Sequence, residues 1–314
     1  MSNVQQQRRI EANRVTQDCF AMLVRGFIDS PKFRKYSDNT KALWTRELNF
    51  AARPDCLGTI SIQEIRPSLV QAFLDGLEDR PGKQDASLAA LRVLEKWAVV
   101  RDLLPRQITL GVETEGSDGG HIPWTNEHVA IALEHARPDM AKAILLAANT
   151  GQRGSDLVRI GPTDIETFDG VSGISLVQIK TKREQWIPIT ATLADAMEGW
   201  TRTPGPFLRR PDNHAFTRPE LTKTWAYERD TNPHLAKHKE LGLVMHGLRG
   251  HACVSLLRAG CNTRQIADMV GMSEKTVLRY TRLSSQRQNA TAAVHLLERT
   301  RREQNVKTFH KSGL

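Results

Sequence analysis

The stretch HGLRGHACVSLLRAG, residues 246–260, decides how this chain is read. Leu248, Ala252, Leu256 and Leu257 recur at helical spacing and form one apolar stripe, and Gly260 ends the helix. His246 and Arg249 stand three residues apart and share a face. An imidazole and a guanidinium so placed can hold one phosphate together. Taken alone, the stretch is equally a helix-start histidine beside a surface arginine, so its neighbours must decide.

Downstream lies GMSEKTVLRYTRLS, 271–284. Ser273 can cap a short helix carrying Tyr280, one of three tyrosines with Tyr36 and Tyr227. Lys275, Arg279, Arg282 and Arg287 surround it. By itself Tyr280 also fits an amphipathic core position. Upstream, Ile174, Leu176, Gln178 and Lys180 alternate with Ser175, Val177, Ile179 and Thr181, which is the period of a strand. Gln185 to Thr190 reads as a second strand, Thr181 to Glu184 as the turn between them, and Ile165 and Phe168 as a third strand. Within QIKTKREQWIPI, 178–189, Lys180 thus sits near a strand end beside Lys182 and Arg183. A solvated hairpin with edge lysines is the plainer alternative. Further upstream, in NTGQRGSDLVRI, 149–160, Gly151 stops a helix, Arg153 starts the next element, and Asp156 follows on the same face. That piece alone is an ordinary surface Arg–Asp pair.

The rest of the chain is helical in pattern. Phe20, Leu23, Val24 and Phe27 mark a short helix that Pro31 breaks. Helices follow at about 38–52, capped by Asn39 or Thr40, then 67–78 and 86–100. GVETEGSDGG, 111–120, has four glycines and almost nothing to bury, which reads as a flexible linker or a long surface loop. Thr125 caps a helix, and Pro138 suits the first turn of the next. The expected fold is mainly α with a small three-stranded β-sheet over 164–190. The expected division is an N-terminal lead-in at 1–30, a helical domain at 31–110, a linker at 111–121, a mixed α/β domain at 122–302, and a C-terminal tail at 303–314.

Composition narrows the partners. The 314 residues carry a formal net charge of +9, which favours a polyanion, nucleic acid first and an acidic membrane second. No apolar run approaches the roughly 18 residues of a membrane span. The polar start, Met1 to Arg14, lacks a signal core, so a cytoplasmic location is expected. Cys19, Cys56, Cys253 and Cys261 form no CxxC pair and read as reduced thiols. His234 and His238, at i and i+4, could ligate a metal, but no third ligand stands at a suitable spacing, so no metal is expected.

Together the four pieces resemble the tyrosine recombinases, the family of phage integrases and chromosome-dimer resolvases. The matching order is TGQR with a following acid, a strand-borne Lys180 eight residues before Pro188, His-x-x-Arg, and a tyrosine about 30 residues later. The resemblance covers roughly 122–300, with a weaker fit of 31–110 to the family's helical core-binding domain. It implies site-specific recombination or integration of a mobile element, through a covalent 3′-phosphotyrosyl intermediate. Arg153, Lys180, His246, Arg249 and Tyr280 would be the catalytic residues, with Asp156 orienting Arg153 or His246. Arg153 and Arg249 would bind the non-bridging oxygens, His246 would handle a proton, and Lys180 would protonate the departing 5′-oxygen. Exchange of one phosphoester for another conserves bond energy, so no cofactor is implied. The implied partner is double-stranded DNA, held between the two domains of each chain in a homo-tetramer, with accessory DNA-bending or directionality proteins and a nucleoid association.

One position departs from the family. His or Trp usually follows the glycine matched by Gly271, but Met272 stands here, and methionine is a poor hydrogen-bonding partner for phosphate. Either the donor is missing, or His251 or another group replaces it, or the alignment slips locally. Two alternatives therefore stand beside the recombinase: a catalytically impaired, recombinase-like DNA-binding protein, and a type IB topoisomerase-like nicking-closing enzyme.

Overall fold

The computed structural model of the chain describes residues 18–116, 120–200 and 203–311, with side chains described except at 283, 287, 288 and 303–311. The expected lead-in before Asp18, linker residues 117–119 and the last three residues of the expected tail lie outside the described residues. Two compact units divide the chain, 1–119 and 120–314.

The first unit is helical: α1 Phe20–Ile28, α2 Pro31–Arg34, α3 Asp38–Ala51, α4 Pro67–Asp75 and α5 Pro81–Val99. Phe20, Phe27, Leu48, Leu74, Leu91 and Leu94 form its core. Helix α1 ends before Pro31 as expected, while two local expectations, the cap of α3 and the start of α5, are corrected. Ser37 caps α3, not Asn39 or Thr40, with its Oγ accepting the Thr40 N–H at 3.4 Å. Pro31 opens a helix at its first position, where its fixed φ fits and no N–H is needed. Helix α5 begins at Pro81 rather than near 86 for the same reason. Its inner face there is polar, which hid the period: Gln84 is buried and donates to the Leu74 carbonyl at 2.9 Å.

The second unit holds the sheet. Helices α6 Asn126–His135, α7 Pro138–Thr150 and α8 Gly154–Leu157 precede β1 Ile165–Phe168, β2 Val171–Val177 and β3 Glu184–Pro188. The three strands are antiparallel in the order β1-β2-β3, with Ile174 opposite both Ile165 and Ile187. Then come α9 Ala191–Met197, α10 Arg218–Thr231, α11 Ala236–Glu240, α12 Gly247–Arg258, α13 Thr263–Val270 and α14 Glu274–Lys311. Trp124, Ile144, Leu146, Ile174, Ile187, Trp225 and Leu248 share the main core. A satellite cluster of Ala252, Ile266, Val270, Met272 and Val277 joins α12, α13 and α14. Helix α12 packs on both α7 and α14, which brings the arginine, histidine and tyrosine segments to one place.

Here too the sequence reading needs correction. Strand β2 stops at Val177, so Lys180 lies in the turn and not on the strand. The Gln178 N–H donates to the Arg183 carbonyl and the Lys182 N–H to the Gln178 carbonyl, both at 2.9 Å, and Lys182 takes φ +56°. These bonds close the turn earlier than the alternation suggested. The helix bearing Tyr280 is not short: α14 runs on to Lys311, through most of the expected tail. Among the described residues no helix is long and apolar enough to cross a membrane.

Candidate active site

Gly151 sets the geometry. It ends α7 at φ +61°, a left-handed conformation that a side chain would strain. A Cβ there would also meet Val270 and Ala252. Its carbonyl accepts a hydrogen bond from Arg249 Nη1. Arg249 is buried on α12, only 3% exposed, so the guanidinium is fixed against the backbone. Burial and the facing Arg153 lower its pKa to about 10, which leaves it cationic at neutral pH. Arg153, just before α8, donates through Nη1 to Gln178 Oε1 at 3.0 Å.

Arg153 and Arg249 line one cavity of about 550 Å³, together with Lys180, His246, Met272 and Tyr280. Five lining residues are Lys or Arg, and none is acidic. Two fixed guanidinium groups that repel one another across such a space are arranged for an anion. Lys180 reaches the rim from the exposed β2–β3 turn.

Tyr280 and His246 meet inside the cavity, with the phenol oxygen 3.4 Å from His246 Nε2. The Tyr280 ring lies over Gly250 of α12, and Arg279 flanks it at 5.7 Å from the ring centroid. His246 also stands edge-on to His121 at 4.8 Å between centroids. Loss of water around the ring, then His121, Arg249, Arg153 and Arg218, push the His246 pKa down to about 4. Its imidazole is therefore neutral at pH 7, and an anion bound between it and the arginines would offset their repulsion and strengthen it as a base.

The remaining candidates play other parts. Asp156 is buried, and its side chain bonds neither the Arg153 nor the His246 side chain; its N–H donates to the Arg153 carbonyl at 2.8 Å, and its Oδ1 accepts the Ile179 N–H at 2.8 Å, which pins the turn just before Lys180. Met272 lines the cavity from the satellite cluster and is 7% exposed. His251 does not replace a donor there: its Nδ1 faces the Trp124 carbonyl at 3.0 Å. His234 stacks on His135, while His238 is buried with Nε2 on the His128 carbonyl, so the two do not converge on one ligand position. Sequence reasoning missed Gln178, Thr181 and Gly250: Gln178 and Gly250 matter through contacts distant in the chain, and Thr181 through the buried Gln178 three residues before it.

Residues 132–287 match the model of the phage integrase family, and the chain belongs to that family, the site-specific tyrosine recombinases. It is thus a DNA-recombining enzyme of the integrase type. Solved structures share the fold at low identity. A lambda integrase dimer bound to a COC′ core site is 15% identical with a TM-score of 0.65, covering 81% of this chain and 95% of that chain. A lambda integrase tetramer bound to a Holliday junction is 14% identical with a TM-score of 0.67, covering 86% and 80%. The Tn1549 transposon integrase in complex with circular intermediate DNA is 15% identical with a TM-score of 0.65, covering 83% and 94%. No curated protein matches the chain significantly.

Proposed function

We propose that Arg153, Lys180, His246, Arg249 and Tyr280 together cut and rejoin DNA. Arg153 and Arg249 bind the non-bridging oxygens of the scissile phosphate, where negative charge grows in the transition state. A phenol with a reference pKa of about 10 is a weak nucleophile until its proton is removed. Neutral His246 takes that proton as the Tyr280 oxygen attacks phosphorus. Lys180 gives a proton to the departing 5′-oxygen. The products are a 3′-phosphotyrosyl bond and a free 5′-hydroxyl, and attack by a 5′-hydroxyl on that bond reverses the step. Asp156 acts by fixing the backbone at Ile179 rather than by reacting.

The convergence of these five side chains on one cationic cavity, with Tyr280 against His246, carries the assignment. The test is a nicked suicide DNA substrate carrying the cognate site, resolved on a denaturing gel. Wild type should trap a covalent adduct, and Tyr280→Phe should bind the site yet trap none. Arg249→Ala should lower cleavage by ~10²-fold or more through lost transition-state stabilisation. Met272→His should raise cleavage if the absent donor limits the rate. Binding without any wild-type adduct would favour the impaired, binding-only reading, which the apolar Met272 at the cavity wall motivates.

We further assign the exposed stripe of α14, with Ala292, Ala293, Leu296 and Leu297, to docking on a neighbouring protomer of a DNA-bound tetramer. A tetrameric assembly is seen for the lambda integrase neighbour on a Holliday junction.

A further inference from the structure

Two buried glutamines form a chain behind the cavity. Gln178 has no exposed surface and Gln152 is 1% exposed. The Gln152 amide nitrogen donates to the carbonyls of Thr150 at 3.1 Å and Val270 at 3.3 Å. That turns its oxygen toward Gln178, whose Nε2 donates to it at 3.0 Å and to the Gly271 carbonyl at 3.3 Å. The Gln178 oxygen is therefore aimed the other way. It accepts Arg153 Nη1 at 3.0 Å and Thr181 Oγ1 at 2.6 Å. Each donor meets an acceptor, and backbone carbonyls set the direction of the whole chain. Gly271, at φ +63°, has no Cβ to collide with the Gln178 amide.

We propose that Gln178 is a positioning residue for strand transfer: one buried amide, oriented by Gln152, holds the Arg153 guanidinium and the turn bearing Lys180 against the same phosphate. This rests on the assignment of Arg153 and Lys180 above. The chemistry suits an amide better than an acid. A neutral oxygen holds Arg153 in place against repulsion from Arg249 without cancelling the charge the phosphate needs. One guanidinium hydrogen is used, and the other donors stay available. The same residue acts on the turn twice, through the Thr181 hydroxyl and through the backbone bonds to Arg183 and Lys182.

Two substrate changes separate positioning from mere support of the fold. A methylphosphonate at the scissile position lacks the negative charge that Arg153 binds. A 5′-bridging sulfur leaves without the proton that Lys180 supplies. Gln178→Met, which keeps the volume and removes the hydrogen bonds, should slow single-turnover cleavage of the ordinary phosphate by about 10-fold or more. Its defect, like that of Arg153→Ala, should shrink to within about threefold on the methylphosphonate. Thr181→Val changes an exposed side chain and leaves the buried pair intact. It should slow the phosphate substrate and be relieved by the bridging sulfur. Defects of equal size on every substrate, or no defect at all, would overturn the positioning role while wild type and Arg153→Ala behave as assigned. If wild type traps no adduct, or Arg153→Ala cleaves like wild type, the site assignment fails and the proposal falls with it.

Discussion

Tyr280 and Gly250 are in contact between α14 and α12: a Cβ at position 250 would lie 3.0 Å from Cδ1 of the tyrosine ring and 2.9 Å from Cγ of Pro123. The missing side chain lets the phenol settle one residue beyond Arg249. Gly250→Ala should push the ring off line while improving helix propensity by up to about 1 kcal/mol. The expected result is near-normal melting and site binding, with covalent adduct formation slowed by about 10-fold or more. Normal cleavage kinetics on a suicide substrate would show that the ring has room to spare.

Acid should destabilise the protein partly through His246. Its pKa of about 4 lies below the ordinary 6.5. Between those values the unfolded chain holds a proton that the folded chain refuses, so stability rises with pH there. The contribution is complete above about pH 6.5 and is lost as pH falls toward about 4. His128, His238 and His251 are shifted downward too, chiefly by burial, and act in the same direction. His246→Gln should therefore narrow, without closing, the gap between urea unfolding curves at about pH 7 and pH 5. An unchanged gap would contradict the depressed pKa.

Removing residues 285–314 leaves Tyr280 within a short remaining helix and deletes Ala292, Ala293, Leu296 and Leu297. If that stripe docks between protomers, the truncated protein should still shift its DNA site and lose strand exchange. Complete recombination by the truncated protein would assign the stripe to its own chain.

Salt should weaken DNA binding steeply. Cationic groups that neutralise phosphates release counterions, so affinity should drop by more than about 100-fold between ~50 and ~200 mM salt. Filter binding across that range reads the slope directly. A flat profile would exclude a mainly phosphate-directed interface.

What the sequence disclosed and what it hid follow from how far each contact reaches along the chain. Gly151 as a helix end and Thr125 as a cap depend on near neighbours, and each appears as read, whereas α12 is buried all round from Gly247 to Cys253 rather than along one stripe. The sheet was legible because Ile174 and Ile187 stand where the alternation puts inward positions. Lys180 was misplaced by a few residues because a turn closed by backbone bonds overrides side-chain alternation. The bond from Arg249 to Gly151 spans 98 residues, and that from Gln178 to Gly271 spans 93. Motif order suggested that the arginines, histidine and tyrosine meet; nothing local suggested the glutamines behind them. Nor did anything local show that the Asp156 carboxylate bonds the Ile179 N–H, 23 residues on, while its own N–H holds the Arg153 carbonyl.

Arg249 is anchored to a carbonyl and Arg153 to an amide, whereas Lys180 stands on an exposed turn. In the proposed reaction, a cradle fixed in this way has no sense of direction. It meets phosphorus alike whether a phenol or a sugar hydroxyl arrives, so it lowers the one barrier between joined and broken strands without tilting the ground on either side. Speed then belongs to the pocket, and outcome to geography. Which two ends become one molecule is settled by whichever hydroxyl the paired duplexes bring within reach while the phosphate waits on the protein.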